Sequence, residues 1–275
     1  MTPERRRRRA TAERLPWPAG VLAALAVAVF ALPFIGLLWR VPWSRLGHVV
    51  TEATVRDALA LSLRTSLLST SITVVLGVPL AWALARIDFP GRRLVRALAT
   101  LSMVLPPVVG GVALFASFGR RGLFGQLLAD WFGIRIPFTT GAVVFAQTFV
   151  AMPFLVLTVE AALRQFDHRM ADAARTLGAG RWTVFSRVTL PAIRPALIAG
   201  AVLAWARALG EFGATITFAG NLPGSTQTMP LAVYLALERD PEEALLISLV
   251  LIGISLTVLL GLRDRWLGEP PAVDR

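Results

Sequence analysis

The chain has 275 residues, 55% of them hydrophobic, and a formal net charge of +11 at pH 7. Its mean hydropathy of +0.64 exceeds what a soluble domain sustains, because such a domain needs a polar surface. All 28 basic residues are Arg, and Lys and Cys are absent. That excludes a Walker A phosphate loop, a Schiff-base Lys, disulfides, thiolate metal sites and thiol nucleophiles.

Runs of about twenty apolar residues recur, which predicts an all-α, polytopic membrane protein; the runs are too long and too evenly apolar for barrel strands. Met1–Arg14 contains the consecutive arginines Arg5–Arg9. The following run, Ala19–Trp39, is too long for the core of a signal peptide and shows no cleavage site, so it reads as a retained first span. Val41–Asp57 is a mixed connector. The second run is Ala58–Ala85, and Arg86–Arg96 is a basic loop with a Pro-Gly turn. The third, Ala97–Phe118, carries Pro106-Pro107 and Gly110-Gly111 and is expected to kink. Gly119–Pro137 connects it to the fourth, Thr139–Leu163, which contains Pro153. A long loop, 164–194, leads to the fifth, Pro195–Ala219. Asn221–Pro241 is polar and Gly/Pro-punctuated, and the sixth run is Glu243–Leu262. The chain thus divides into a basic tail (1–17), a first span and connector (18–54), a core of five spans (55–262) and a second tail (263–275).

Six spans put both termini on one side. Arginine placement orients them: the N-terminus, the 86–96 loop, the 164–194 loop and the C-terminal tail hold nineteen, and the opposite side holds seven. The excess predicts cytoplasmic termini and a cytoplasmic 164–194 loop in a cell membrane. The same pattern accounts for the positive charge without nucleic acid; membrane lipid is the surrounding partner.

Within that loop, Asp172–Pro191 reads DAARTLGAGRWTVFSRVTLP. Asp172 suits the start of a helix, where the dipole favours a carboxylate. Gly178 and Gly180 suit a helix end and reversal. Arg181–Leu190 suits a second helix ended by Pro191. Chemistry alone leaves open an interfacial loop with arginines at the headgroups or a rigid projecting knob.

In the fifth run, Arg207 and Glu211 stand four apart and can pair along a helix. Charges inside a span face a bundle interior or a water path, so the pair reads either as a structural clasp or as part of an anion path or gate. Ser62, Ser66, Ser69 and Thr73 form one stripe of the second run. They can guide an oxyanion or bond helices together. His48 and His168 read as plain loop residues without metal-site spacing, and Glu160 as interfacial.

The order acidic residue, Ala-Ala, three residues, Gly, nine residues, aliphatic, any residue, Leu-Pro resembles the motif of ABC-importer permease subunits. It is carried here by Asp172, Ala173, Ala174, Gly178, Val188, Leu190 and Pro191, with Asp where that family has Glu. Arg207–Glu238 and Leu105–Leu114 resemble the molybdate permease group within it, with sulfate and tungstate permeases as near relatives. The resemblance spans roughly residues 55–262. It implies a type I importer fold, a homodimer with the pore between two copies, and a separate ATP-binding subunit docked on Asp172–Pro191. It also implies a periplasmic or surface-anchored oxyanion-binding protein, alternating access and no catalysis or cofactor in this chain. An ion-driven secondary transporter would need more buried carboxylates and paired repeats, and neither is evident. A membrane-embedded enzyme would need convergent His or acidic residues, which are absent from the spans.

Overall fold

The computed structural model describes residues 16–266. The basic stretch Met1–Arg14 and the tail from residue 267 lie outside the described residues. All elements among the described residues are helical. The chain divides into two units, Met1–Pro42 and Trp43–Arg275. The first contains α1 (Trp17–Arg40), a 24-residue apolar helix with no buried residue.

The second unit is built around α3 (Ala53–Arg86), α7 (Thr140–Gln165) and α10 (Leu190–Leu209). Ser69 bonds Thr148, and Gly77 abuts Leu155 and Val156, so α3 and α7 run parallel. Gly200 lies against Leu155 and Thr158 while Ala204 and Ala208 join Ala151 in one core, so α10 runs antiparallel to α7. That core also holds Ala81, Leu84, Val159 and Ile193. A second core gathers Leu114, Ala146, Val150 and Phe218.

Several boundaries differ from those expected. The third run is two helices rather than one kinked span: α4 (Arg92–Val104) and α5 (Pro107–Phe118). Leu105 and Pro106 each precede a proline, which drives both to extended backbone at ψ 135° and 132°. The 86–96 loop therefore shrinks, and Arg92–Arg96 is the start of α4. Short helices occupy the expected connectors: α2 (Leu46–Thr51), α6 (Leu123–Phe132) and α12 (Met229–Arg239). The fifth run breaks at Gly210–Phe212, separating α10 from α11 (Gly213–Phe218). The last helix is α13 (Pro241–Trp266). Five stretches are long and apolar enough to span a membrane: α1, α3, α7, Arg181–Leu209 and Pro241–Val258; Pro107–Phe118 is a shorter apolar helix.

Arg45 ties the connector before α3 to the α12–α13 junction, at 2.8 Å from Asp240 and 3.0 Å from Glu242. The hydrogen bond from Arg45 holds the Asp240 carboxyl below its usual range.

At the α5–α11 crossing, a Cβ on Gly111 would lie 1.7 Å from Thr217 Oγ1 and 2.8 Å from the Ala214 backbone. The hydroxyl can rotate away but the backbone cannot. Gly111→Ala is expected to destabilise the fold by about 1–3 kcal/mol, the usual range for overpacking. Thermal unfolding of the purified complex checks this, and an unchanged midpoint would refute the close approach.

Candidate functional site: a projecting helical knob and a broken helix above it

Two helices form the knob. The first, α8 (His168–Thr176), starts at Asp167, whose carboxylate accepts from the Arg169 amide. The helix start expected at Asp172 thus lies earlier, at Asp167, and Asp172 lies one turn inside the helix. Asp172 is exposed and meets Arg175 at 2.9 Å. An exposed pair of this kind contributes about 0–1 kcal/mol, so it opens readily to another partner.

The helix ends in a Schellman motif: Gly178 N–H donates to Arg175 O and Ala179 N–H to Ala174 O. Gly178 has φ +86°, in the left-handed region that disfavours a side chain. A short helix, α9 (Arg181–Val184), follows, then a π turn over Phe185–Thr189 that runs directly into α10. Pro191 thus stands in the first turn of α10 and does not end a helix. Its missing N–H and its ring break the regular ladder. The wider turn, in which Leu190 N–H donates to Phe185 O, absorbs the mismatch. Phe185 also packs edge-on to Trp82 of α3, with ring centroids 5.1 Å apart.

The knob's surface is unusual for a polar turn. Leu177 is 89% exposed and Trp182 75%, with Met170 exposed beside them. Of the motif residues, Asp172, Ala173, Gly178 and Pro191 are exposed, while Ala174, Val188 and Leu190 are half-buried. Leu177 was not identified from the sequence; the signal was a large aliphatic residue directly before the reversing glycine.

At the base of the knob lies a cluster that the sequence reading did not assemble. Glu160 is buried, not interfacial as expected. Its Oε1 accepts from Arg96 at 2.6 Å and from Arg164 at 2.7 Å. Arg92 and Arg96 also donate to the Leu84 carbonyl, near the C-terminus of α3, where orphan carbonyls favour cations. The Glu160/Arg164 spacing was visible in the sequence, but Arg96 comes from a distant helix. His168 is not solitary either: its ring meets the Arg86 guanidinium. His48 lies 3.2 Å from Glu52.

The second feature is the α10–α11 break. Arg207 Nη1 lies 2.6 Å from Glu211 Oε2, a charge contact without hydrogen-bond alignment. Glu211 is 1% exposed, and its Oε1 accepts from the Ala214 amide at the start of α11. The expected pair forms, but across a helix end rather than along a helix. Glu211 thus joins two broken segments while Arg207 keeps a partly exposed edge.

The hydroxyl stripe of α3 is fully buried within the subunit. Ser62 accepts from the Met229 amide, Ser69 from Thr148, and Ser66 donates to its own helix at Leu63. This arrangement supports interhelical bonding for Ser62 and Ser69.

Comparison with known proteins locates the chain. Residues 73–268 match the family described as "Binding-protein-dependent transport system inner membrane component". The chain is 47% identical over 245 residues to a molybdenum transport system permease protein of Mycobacterium tuberculosis, covering 89% of this chain and 92% of the relative. A sulfate transport system permease protein of Escherichia coli is 36% identical over 235 residues, covering 84% of each. Among solved structures, a bacterial ABC transporter that imports the acidic polysaccharide alginate superposes with a TM-score of 0.72 at 17% identity, covering 91% of this chain and 95% of that one. The latter is a likeness of fold.

Proposed function

Because the chain belongs to the binding-protein-dependent transport system inner membrane components, we propose that it is the membrane-spanning subunit of an ATP-driven molybdate importer. The observation that carries the substrate is the 47% identity to a molybdenum permease, against 36% to a sulfate permease over a similar length. The chain is not an enzyme. It has no Lys for a phosphate loop, and ATP is hydrolysed by a separate subunit.

The mechanism follows from the two features above. The knob Asp172–Pro191 docks on the ATP-binding subunit, with Leu177 and Trp182 as apolar anchors around the motif residues. The nineteen-to-seven arginine bias supports a cytoplasmic location for this knob and both termini. Two copies enclose the path, and a substrate-binding protein delivers the oxyanion on the opposite side. Arg207, partly exposed beside the buried Glu211, supplies positive charge or a gate on that path. Neutral hydroxyls of Ser62 and Ser69 bond α3 to its neighbours, and Ser66 lies buried between them on the same stripe.

Reconstitution with the ATP-binding subunit and binding protein tests this reading. The expected result is ATP-dependent molybdate uptake that outcompetes sulfate. Uptake driven by an ion gradient without the ATPase would overturn the importer class. A preference for sulfate would overturn the substrate alone.

A further inference from the structure

We propose that the α3–α4–α7 surface holds one anionic phospholipid, with its headgroup on Arg92, Arg93 and Arg96 and an acyl chain in the adjoining apolar groove. Two hollows lie on these helices. One, of about 520 Å³, is lined by Asp88, Phe89, Gly91, Arg92, Arg93 and Arg96. The other, of about 670 Å³, is almost wholly apolar and includes Leu68, Leu76, Leu80, Val95, Leu98 and Ala99.

The register joins them. Arg92, Val95, Ala99 and Ser102 are spaced i, i+3, i+7, i+10 on α4, so one stripe passes from the basic hollow into the groove. Leu80 lines the groove and Leu84 binds the arginines one turn later, about 6 Å along α3. From Leu68 to Leu80 the groove runs about 18 Å. One bilayer leaflet is about 15 Å deep in hydrocarbon. The dimensions therefore suit a chain from the leaflet whose headgroups lie level with these arginines.

Charge selects an anionic headgroup. Arg92, Arg93 and Arg96 are opposed locally by Asp88, which pairs with Arg92, and by Glu160, which Arg96 shares with Arg164. Arg93 is exposed and has no ion-pair partner among the described residues. Basic recesses between membrane helices bind anionic headgroups, and an arginine near an anionic membrane surface contributes about 1 kcal/mol.

Native mass spectrometry of the assembled transporter, released from membranes of mixed phosphatidylglycerol and phosphatidylethanolamine, reads the bound lipid directly. We expect phosphatidylglycerol to be retained in preference to phosphatidylethanolamine. Arg93→Gln should lower retention about fivefold, and Arg93→Lys should preserve most of it. Ala99→Trp, which fills the groove without touching charge, should also expel the lipid. No retained lipid in the wild type, indifference to headgroup, or unchanged retention in Ala99→Trp would each overturn the proposal. Displacement by inorganic phosphate or molybdate in both wild type and Ala99→Trp would identify a free-anion site instead and likewise overturn it. A second copy of the chain covering the groove would appear as an assembled transporter devoid of lipid.

Discussion

Replacing Glu211 with alanine should destabilise the subunit by about 3–5 kcal/mol, because it strands the Arg207 charge in a mostly buried setting. Two losses coincide. Arg207 loses its partner at 2.6 Å, and the Ala214 amide loses the carboxylate that accepts from it. Glu211→Gln separates these effects: its amide oxygen can still accept from Ala214, but the charge pair is gone. It should unfold nearer to wild type while transporting oxyanion poorly. The double variant Arg207→Ala/Glu211→Ala should be less unstable than the sum of the single variants, since no lone charge is left behind. Thermal midpoints of the wild type, Arg207→Ala, Glu211→Ala, Glu211→Gln and the double variant in one detergent decide the matter. Strict additivity would show that the two side chains act independently, and a wild-type midpoint for Glu211→Ala would remove the clasp.

The second large effect is expected at the knob. Leu177→Ala with Trp182→Ala should leave the subunit as stable as before, because both side chains are already exposed. Binding of the ATP-binding subunit should instead weaken about a thousandfold, taking roughly 2 kcal/mol for each large apolar side chain buried on docking. Titrating the ATP-binding subunit onto the permease in nanodiscs measures this. Unchanged affinity would place the docking surface elsewhere. Gly178→Ala provides a subtler comparison. Its Cβ would meet nothing within 4 Å, so any defect arises from the strained φ of +86° rather than from a clash.

Legibility in the sequence followed the physical range of each signal. Long apolar runs report burial in lipid residue by residue, so α1, α3, α7 and α13 were readable within a few positions. Breaks were harder. Pro106-Pro107 announced a distortion, but whether two prolines bend a helix or divide it depends on what the freed amides meet. The break at Gly210–Phe212 had no proline to mark it; it exists because the buried Glu211 carboxylate stabilises a new helix start. The Arg207–Glu211 pair was visible because its partners are four residues apart. The contact of Arg96 with Glu160 joins residues 64 apart in the chain, and no local pattern encodes that distance. Within the Asp172–Pro191 segment, Asp172 and Pro191 occupy different helical positions from those expected. Residue spacing revealed the segment, whereas the choice of cap and the π turn emerged only from backbone hydrogen bonding.

The π turn at Phe185–Thr189 makes Arg181–Leu209 one continuous helical piece of 29 residues. At 1.5 Å per residue it is about 43 Å long, with Trp182 near one end and Arg207 near the other. A rod of that length is a lever. A tilt of about 5° about Phe185 would displace Arg207, about 33 Å along the helix, by roughly 3 Å. The edge-on contact of Phe185 with Trp82 lies close to the knob end of this piece, so a tilt about that contact would displace the Arg207 end more than the knob. A small movement of the exposed surface would then arrive as a change in the position of the partly exposed Arg207 guanidinium.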